Sequence, residues 1–542
     1  MKTGFIRTYG VPAGLAGLLS FALGMAHLMP GVGYWDTGEM QTVAPVFGVA
    51  HPTGYPAYVV LGWLASIVLQ PLGEPAVRMN VLSAILLGAT SALTAVLCVR
   101  LTGRPLLGLA GGIVLALAPE AWYLATHADP HALHACLLAL LLLLLVVWGD
   151  RRREGAPRTD RWLVAAAIVF GVSLGNQALA LLLVPGIALY VLVTDVRILR
   201  RPLFVVGCLA VAAGTGALLY LQLPLAVALG RPLIYGRPGT LGGFLYVVLG
   251  EQFRGSFGNP FADPGGTVGT MIDAVTRQLG WLALAVPAAA VATAVLRPRY
   301  FLLTAPAFVA TLVFAAVYVN AEIDRYHLGP VLLAVTWLVI GAGWIVDVVE
   351  DAVRSRRERG GDLDAGPTAA GGAVGPGGAV GADAPAEPAV RPSRGAVVTA
   401  IVLVALAAAL VAPALARIPS SEETASSVSY LDARAWLDDA LTAMEPNATI
   451  VSWWAYSTPL WYGTIVQGRR PDIRIVDDRT RLDQDLGEVA DVIRADLGKR
   501  PVYLLRQGAE IKALEEEFVL ELVPLGSGAP IYRVLGVKGA GS

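Results

Sequence analysis

The sequence predicts a mainly α-helical, polytopic membrane protein that ends in a small extramembrane α/β domain. Three observations lead to this class. Of its 542 residues, 56% are hydrophobic and only 15% are charged, whereas soluble proteins carry about a quarter charged residues. Apolar stretches long enough to cross a bilayer recur along most of the chain. After residue 416 they give way to alternating helix and strand patterns. The net charge of -1 argues against a nucleic-acid partner.

Membrane-spanning segments can be identified by their length, because a bilayer core about 30 Å thick requires roughly 20 apolar residues per helix. About eleven transmembrane helices are predicted, over residues 11–29, 79–99, 105–121, 131–148, 162–175, 177–195, 203–224, 277–296, 300–319, 328–348 and 396–416. The first follows Lys2 and Arg7 without a clear small-residue cleavage site, so we expect a retained signal anchor.

Basic clusters orient these spans, since Lys and Arg collect in cytoplasmic loops. All clusters fall on the cytoplasmic side only if the apolar stretch 57–71 lies along the outer surface as a juxtamembrane or re-entrant helix. This predicts a cytoplasmic N-terminus and a cell-membrane protein with its C-terminal domain outside. The first external loop then covers residues 30–78.

Two further regions follow the core, which is predicted to cover residues 1–348. Residues 349–395, rich in Gly, Ala and Pro from residue 360 onward, are expected to form a disordered cytoplasmic linker. After the span 396–416, residues 417–542 are predicted to form the external α/β domain. Its expected elements are helices at 428–444 and 484–497, strands at 449–452, 473–476 and 501–505, and a hairpin at 517–535.

Carboxylates stand out in the first loop, immediately beyond the first span. Asp36 and Glu39 lie three residues apart, and His51 follows within a run of turn-forming residues up to Pro56. Carboxylates this close to hydrocarbon are costly unless they face a polar cavity or a partner. A shaped loop with a histidine favours a polar site over an acidic loop that merely meets water.

A second polar cluster precedes the span 131–148 and contains His127, Asp129, His131 and His134. Zinc could be bound by such residues, but Asp129 and Pro130 also fit the N-cap and first position of a helix. We therefore expect this cluster to line the cavity of Asp36, and no metal ligand is assigned. A divalent metal is left open as a cofactor.

Two external loops carry arginines beside aromatic residues. One contains Glu322, Asp324, Arg325, Tyr326 and His327, and its arginine is suited to an anionic head group because guanidinium binds phosphate in a bidentate way. A simple ion pair is the alternative. The other loop contains Tyr235 and Arg237 followed by Arg254, which fits either an aromatic belt or a site for a sugar and a lipid phosphate.

These residues resemble the signature of a known family. Asp36-Thr37-Gly38-Glu39 with His51-Pro52-Thr53-Gly54-Tyr55-Pro56 resembles the first loop of polytopic proteins related to protein O-mannosyltransferases, within the GT-C class of membrane glycosyltransferases. Further similarity, covering nearly the whole chain, is carried by Gly175-Asn176, Tyr235-Gly236-Arg237-Pro238, Asp324-Arg325-Tyr326, Trp461-Tyr462 and Arg469-Arg470-Pro471-Asp472. The family often has Trp at the position of Tyr235 and Glu with Tyr near Asp129 and His131.

The resemblance implies a sugar donor on a polyprenyl phosphate and an external acceptor hydroxyl, on protein or glycan. We expect an inverting transferase of a hexose such as mannose, in which Asp36 is the base and Glu39 and His51 orient the acceptor or sugar. Arg325, with Arg254 or Arg237, would hold the lipid phosphate. The residues expected to bind substrate are Tyr55, His127, Asp129, His131, Tyr235, Arg237, Arg254, Asp324, Arg325 and Tyr326.

Two alternatives remain at this point. A cell-surface glycan polymerase or ligase would also use a lipid-linked glycan. A transporter is a different class, and it would be expected to show paired broken helices and charges at mid-membrane depth. Here the ionisable residues gather beyond the ends of the spans instead.

Overall fold

The computed structural model describes residues 2–319, 322–364, 394–427 and 433–539. A helical bundle is followed by a mixed α/β domain. The bundle helices are α1 Lys2–Phe5, α2 Val11–Ala26, α3 Trp35–Val46, α4 Pro56–Val68, α5 Pro75–Thr102, α6 Pro105–Ala116, α7 Pro119–Leu124, α8 Pro130–Arg153, α9 Asp160–Asn176, α10 Val184–Thr194, α11 Pro202–Tyr220, α12 Gln222–Ala228, α13 Leu241–Val248, α14 Pro264–Leu279, α15 Val286–Leu296, α16 Pro298–Val317, α17 Leu328–Asp364, α18 Arg394–Ala416 and α19 Ile418–Ser427.

Each predicted span coincides with a helix or with consecutive helices of the bundle. Among the described residues, eight helical segments are long and apolar enough to cross a membrane. The spans predicted at 105–121, 162–175 and 177–195 correspond to shorter helical segments, namely α6, α9 and Ala178–Thr194. The predicted class, a mainly helical polytopic membrane protein, is therefore confirmed, with eight to eleven apolar helices.

The first loop is more ordered than its sequence indicated. It contains α3, a helix that the sequence does not predict, since both Gly38 and Pro45 disfavour helix. The predicted juxtamembrane helix 57–71 corresponds to α4, whose 13 residues span about 20 Å at 1.5 Å per residue. That length is too short for a bilayer core.

Burial divides the bundle into a centre and a periphery. Helices α5 and α8 and the first half of α17 are mostly buried, whereas α11 and α18 are mostly exposed. Leu203, Leu209 and Leu218 on α11 are largely exposed apolar side chains, as expected where lipid replaces water as the solvent. The polar ends of α5 and α8 are consequently held by neighbours on several sides.

The second domain contains a five-stranded mixed sheet in the order β2-β1-β3-β5-β4. Its elements are α20 Ala433–Ala443, β1 Thr449–Ser452, α21 Trp454–Trp461, β2 Arg474–Val476, α22 Asp478–Asp483, α23 Val489–Asp496, β3 Val502–Leu505, α24 Ala509–Glu517, β4 Phe518–Val523 and β5 Ile531–Val537. Strand β1 pairs in parallel with β2 and β3, and β5 pairs antiparallel with β3 and β4. Each predicted strand and the hairpin are present.

Two predicted boundaries differ from the structure. Residues 349–364 of the predicted linker are helical, because α17 continues to Asp364 through a charged stretch rich in Arg and Glu, both good helix formers. Residues 365–393 of the predicted linker lie outside the described residues. So do residues 428–432 of the predicted helix 428–444, of which α20 covers Ala433–Ala443.

The α/β domain packs directly on the first loop. Arg434 forms an ion pair with Glu74 at 2.8 Å, and the Tyr462 hydroxyl accepts a hydrogen bond from the Ala76 amide at 3.1 Å. Helix α21 approaches α3 so closely that a Cβ atom at Gly38 would lie 2.7 Å from Thr458 Oγ1. Glycine at this position therefore permits the contact that brings the α/β domain to the loop.

Candidate active site

Asp36 lies in the first turn of α3, where the partial positive charge of a helix N-terminus favours a carboxylate. Its Oδ2 accepts a hydrogen bond from Arg325 Nη2 at 2.7 Å, and its Oδ1 accepts one from Trp454 Nε1 at 2.9 Å. Burial alone would raise the pKa of Asp36. The charges of His51 and Arg325, together with these two hydrogen bonds, lower it to about 2. Asp36 is therefore a carboxylate anion at neutral pH.

Glu39 and His51 form a buried pair beside Asp36. One oxygen of Glu39 accepts a hydrogen bond from the His51 backbone amide at 2.8 Å, and the other accepts one from His51 Nδ1. His51 Nε2 then lies 3.9 Å from Asp36 Oδ2 and 3.2 Å from the Tyr55 hydroxyl. Burial lowers the pKa of His51, but the charges of Glu39 and Asp36 outweigh it and raise that pKa above 6.5. These two carboxylates therefore favour the protonated form of His51.

Arg325 connects three carboxylates. It lies in the 3-10 turn Ile323–His327 and contacts Asp36, Asp129 Oδ2 at 3.2 Å and Glu322 Oε2 at 3.0 Å. Its side chain is only 5% exposed. A guanidinium this deeply buried requires paired carboxylates, so the three acids fix its position.

Asp129 joins the site from the N-terminus of α8. Its Oδ1 accepts hydrogen bonds from the His131 amide at 2.6 Å and from His131 Nδ1 at 2.8 Å. Burial would raise the pKa of Asp129, but His131 and Arg325 hold it well below its usual range. The amide of Gln177 lies 3.0 Å from His131 Nε2 and completes the chain of contacts. Asp129 is thus both the helix cap that the sequence allowed and a partner of Arg325.

A buried amide network positions the two segments that carry these acids. Gln41 donates to Asn80 Oδ1 at 2.8 Å and accepts from the Gly33 amide at 2.8 Å. Asn80 Oδ1 in turn accepts from the Ala128 amide at 2.9 Å. Sequence analysis did not identify Gln41 or Asn80, because each is a single amide within a helix with no motif around it.

Two cavities meet at these residues. The smaller has a volume of about 180 Å³ and is lined by Trp35, Asp36, His51, Tyr235, Gln252, Phe253, Glu322, Arg325 and Trp454. The larger, about 330 Å³, has mostly apolar walls that include Leu179, Leu182, Leu249, Phe257 and Phe314, with Arg254 among them. His51, Phe253 and Arg325 line both. We call them the polar cavity and the apolar cavity.

Most residues expected to bind substrate lie around these cavities. Tyr235 lines the polar cavity, and Tyr55, Arg254 and Tyr326 line the apolar cavity. Asp129 and His131 lie behind Arg325 and contact it directly or through one neighbour. They therefore support the cavities from outside.

Three of the expected binding residues are engaged elsewhere. His127 contacts Thr126 Oγ1 at 3.1 Å and stacks edge-on against Tyr123. Asp324 pairs with Arg277 and His327, both at 3.3 Å. Arg237 pairs with Asp485 of the α/β domain at 3.1 Å. Their positions in the sequence predicted that they lie near the site, but sequence spacing does not determine the direction in which a side chain points.

Trp454 is the site residue whose role sequence analysis missed. By residue type, Trp453, Trp454, Trp461 and Tyr462 suit either sugar stacking or the core of a small domain. In the structure, Trp454 Nε1 donates to Asp36, and its ring packs edge-on against His51. These residues are more than 400 positions apart, so no local pattern could reveal the contact.

The sequence leaves open a divalent metal, and the arrangement of Asp36, Glu39 and His51 shows how well these residues could bind one. Ligand atoms of Asp36, Glu39 and His51 lie within 4.8 Å of one another. However, both oxygens of Glu39 accept hydrogen bonds from His51, and Asp36 Oδ2 accepts one from Arg325. A cation would have to displace these partners, so the three side chains as arranged fit a hydrogen-bonded pair beside an ion pair better than a ligand set.

Comparison with known proteins shows similarity to one family over the N-terminal part of the chain. Residues 36–199 match the model of the Protein O-mannosyl-transferase TMEM260 N-terminal domain. The chain is 30% identical over 255 residues to Protein O-mannosyl-transferase TMEM260 of Mus musculus, covering 46% of this chain and 35% of that protein. It is 25% identical over 235 residues to the Dictyostelium discoideum protein of the same name, covering 41% of this chain and 28% of that one. The chain thus aligns with about a third of the length of these relatives.

Solved structures extend the likeness to the whole chain. ArnT from Cupriavidus metallidurans matches over 98% of both chains, in the apo state with a TM-score of 0.53 at 14% identity. The same enzyme bound to undecaprenyl phosphate matches with a TM-score of 0.50 at 15% identity, again over 98% of both chains. At this identity the likeness concerns the fold. Residues 36–199 are thus similar to the N-terminal domain of the TMEM260 protein O-mannosyltransferases, and the fold of the chain is similar to that of ArnT.

Proposed function

We propose that the protein is an inverting glycosyltransferase that moves a sugar, a hexose such as mannose, from a polyprenyl-phosphate donor to an acceptor hydroxyl outside the cell. The observation that carries this proposal is the position of Arg325. Its guanidinium pairs with Asp36 on the wall of the polar cavity and also lines the apolar cavity. A donor with an apolar chain, a phosphate and a sugar has the same order of chemical groups.

The reaction assigns a role to each side of this junction. The acceptor oxygen attacks the anomeric carbon from the face opposite the phosphate, and the bond between that carbon and the phosphate oxygen breaks. Asp36 accepts the hydroxyl proton as the new bond forms, and polyprenyl phosphate leaves as an anion. Arg325, with Arg254 at the apolar cavity, neutralises the leaving phosphate, a type of electrostatic stabilisation that often dominates catalysis. Direct displacement inverts the anomeric configuration.

Glu39 and His51 support this step without reacting covalently. Glu39 holds the imidazole of His51 through Nδ1. Nε2 is then directed toward Asp36 and Tyr55, in the wall that the two cavities share. The raised pKa of His51 favours its cationic form beside Asp36. In this role the imidazolium orients the substrate and adds positive charge near the departing phosphate.

The lipid part of the donor follows from the apolar cavity and from the structural likeness. ArnT, which shares the fold, has been solved with undecaprenyl phosphate. The walls of the apolar cavity in this chain suit the first isoprene units of such a lipid. The basic clusters orient the site toward the outside of the cell, where a protein Ser/Thr or a glycan would supply the hydroxyl.

Purified full-length protein tests the proposal when incubated with radiolabelled polyprenyl-phosphate mannose and either Ser/Thr peptides or glycan oligomers. We expect labelled acceptor, with the anomeric configuration inverted when read by NMR. Label on the glycan alone would identify a polymerase or ligase. Movement of intact donor across a vesicle membrane, with no transfer to either acceptor, would contradict the proposal and favour a transporter.

A further inference from the structure

A second charged cavity lies at the opposite end of the bundle from the candidate active site. Helix α5 begins near the first loop and ends at Thr102, and its 28 residues span about 40 Å at 1.5 Å per residue. A cavity of about 330 Å³ lies between the far ends of α5, α8, α10 and α15 and the first turn of α16. We call it the arginine cavity. It shares no lining residue with the polar or apolar cavity.

Its charge is not balanced. Four arginines line it, Arg100, Arg153, Arg297 and Arg299, and the one carboxylate among the lining residues is Asp150. Asp150 already pairs with both Arg100 and Arg153. Arg297 donates to the Leu101 carbonyl at 2.9 Å. Arg299 has no carboxylate within ion-pair distance in the described part of the chain.

Several other arginines at this end of the bundle are paired with carboxylates. Arg104 pairs with Asp347 and Glu350, at 2.6 and 3.1 Å. Arg152 pairs with Asp195 at 2.6 Å, and Arg201 with Asp160 at 2.6 Å. Basic residues that only set membrane orientation need not converge on a cavity. The arginine cavity differs in that four arginines converge on one space with a single carboxylate among its lining residues.

The walls of the arginine cavity are also amphipathic. Val193 and Leu296 line it and are 47% and 39% exposed on the lipid-facing surface of the bundle. The first turn of α16 contributes Pro298 and Arg299, and a helix N-terminus favours negative charge. An anionic group among the arginines would therefore lie next to an apolar opening.

We propose that the arginine cavity binds the phosphate of an anionic membrane lipid, with the start of a hydrocarbon chain against Val193 and Leu296. Guanidinium groups bind phosphate in a bidentate way, and basic cavities between membrane helices on the cytoplasmic side bind lipid head groups. The site lies on the face predicted to be cytoplasmic and is separate from the proposed transfer reaction. A soluble phosphate would use the same arginines without the apolar opening.

The test uses full-length protein, delipidated in detergent and titrated with phosphatidylglycerol under native mass spectrometry. We expect one tightly bound lipid. The double variant Arg297→Gln/Arg299→Gln should weaken its binding about tenfold or more, since each arginine near a lipid phosphate contributes substantially to binding. The single variant Arg299→Gln keeps the hydrogen bond from Arg297 to Leu101. Weaker lipid binding in this variant would therefore come from the loss of the Arg299 charge. Arg299→Lys should restore part of the affinity.

Matched controls test whether the cavity binds the lipid, and competition with inorganic phosphate tests the source of the phosphate. The double variant Arg197→Gln/Arg200→Gln removes two charges at the same end of the bundle, outside the cavity, and should bind phosphatidylglycerol as the unmodified protein does. Equal loss in both double variants, or equally tight binding of diacylglycerol with the same chains, would overturn the proposal. Displacement of the lipid by micromolar inorganic phosphate would overturn the assignment to a lipid.

Discussion

The polar and apolar cavities share the wall formed by His51, Phe253 and Arg325 but differ in almost everything else. The polar cavity is small and lined by Asp36, Glu322, Gln252 and Trp454, and one of its walls belongs to the α/β domain. The apolar cavity is larger and lined mainly by leucines and aromatic residues of the bundle. The proposed function would therefore place bond-making chemistry on the polar-cavity side of Arg325 and lipid binding on the apolar-cavity side.

This division predicts different consequences for damage to each cavity. A change in the polar cavity should lower the rate of the chemical step at saturating donor. A change in the apolar cavity should raise the donor concentration needed for half-maximal rate. Arg325, which lines both, should affect both.

The largest effect is expected for Asp36→Asn. The amide keeps the shape and the bond from Trp454 but cannot accept the acceptor proton, so we expect kcat to fall about 10³-fold or more. The measurement is transfer to the acceptor at saturating donor. Asp485→Asn is the matched control, because Asp485 is an exposed partner of Arg237, and it should keep kcat near the unmodified value. A normal kcat for Asp36→Asn would remove Asp36 from the role of base.

Arg325→Ala should come next, and it tests the shared wall. Removing the guanidinium leaves the buried Asp36 and Asp129 carboxylates without their cation, which costs about 3 kcal/mol or more in stability. Donor affinity should fall as well, because the leaving phosphate loses its main positive partner. A lower melting temperature and donor binding in detergent measure the two effects.

Arg254→Gln provides the comparison for Arg325→Ala. Arg254 lines the apolar cavity with a side chain that is 60% exposed, so its loss should weaken donor binding a few-fold without lowering the melting temperature. Unchanged donor affinity in Arg325→Ala would place the phosphate elsewhere.

Leu182→Gln tests the apolar cavity by itself. A polar amide in this wall should raise KM for a long-chain polyprenyl donor about tenfold, the equivalent of losing one well-buried apolar contact. A donor with a short, water-soluble chain should be transferred with unchanged KM. Leu218→Gln, on a lipid-exposed face of α11 that lines neither cavity, is the control. An equal rise in KM for both donors would contradict the division.

The polar cavity was only half predictable from sequence. Asp36, Glu39 and His51 lie within 16 residues of one another in a loop that begins where hydrocarbon ends, so composition and spacing were sufficient to identify them. The helical class followed from apolar length in the same way. Trp454 could not be found like this, because its contact with Asp36 depends on how a separate domain packs against Gly38.

The apolar cavity shows the opposite limit. Three of its four leucines lie in Ala178–Leu183, a segment whose composition is that of any other apolar span. Apolar side chains that face a cavity and those that face lipid have the same composition, and only the packing of neighbouring helices separates them. For the same reason the sequence could place Arg325 near an anion but could not show that it pairs with both Asp36 and Asp129.

The smallest effect is expected from the proton on His51, and it tests whether the shared wall acts through charge. Glu39 and Asp36 raise the pKa of His51 above 6.5, so the imidazolium is present below that raised pKa and is lost as the pH rises through it. Stability gained from the pair follows the same direction: it is fully present below 6.5 and declines above the raised pKa. We therefore expect kcat/KM to decline a few-fold on the alkaline side as the cavity loses one positive charge.

The variant Glu39→Gln removes the charge that contributes most to the raised pKa of His51, so the decline should begin at lower pH in that variant. Measuring kcat/KM from pH 5 to 9 in both proteins decides the matter, and identical profiles would exclude a role for the His51 charge.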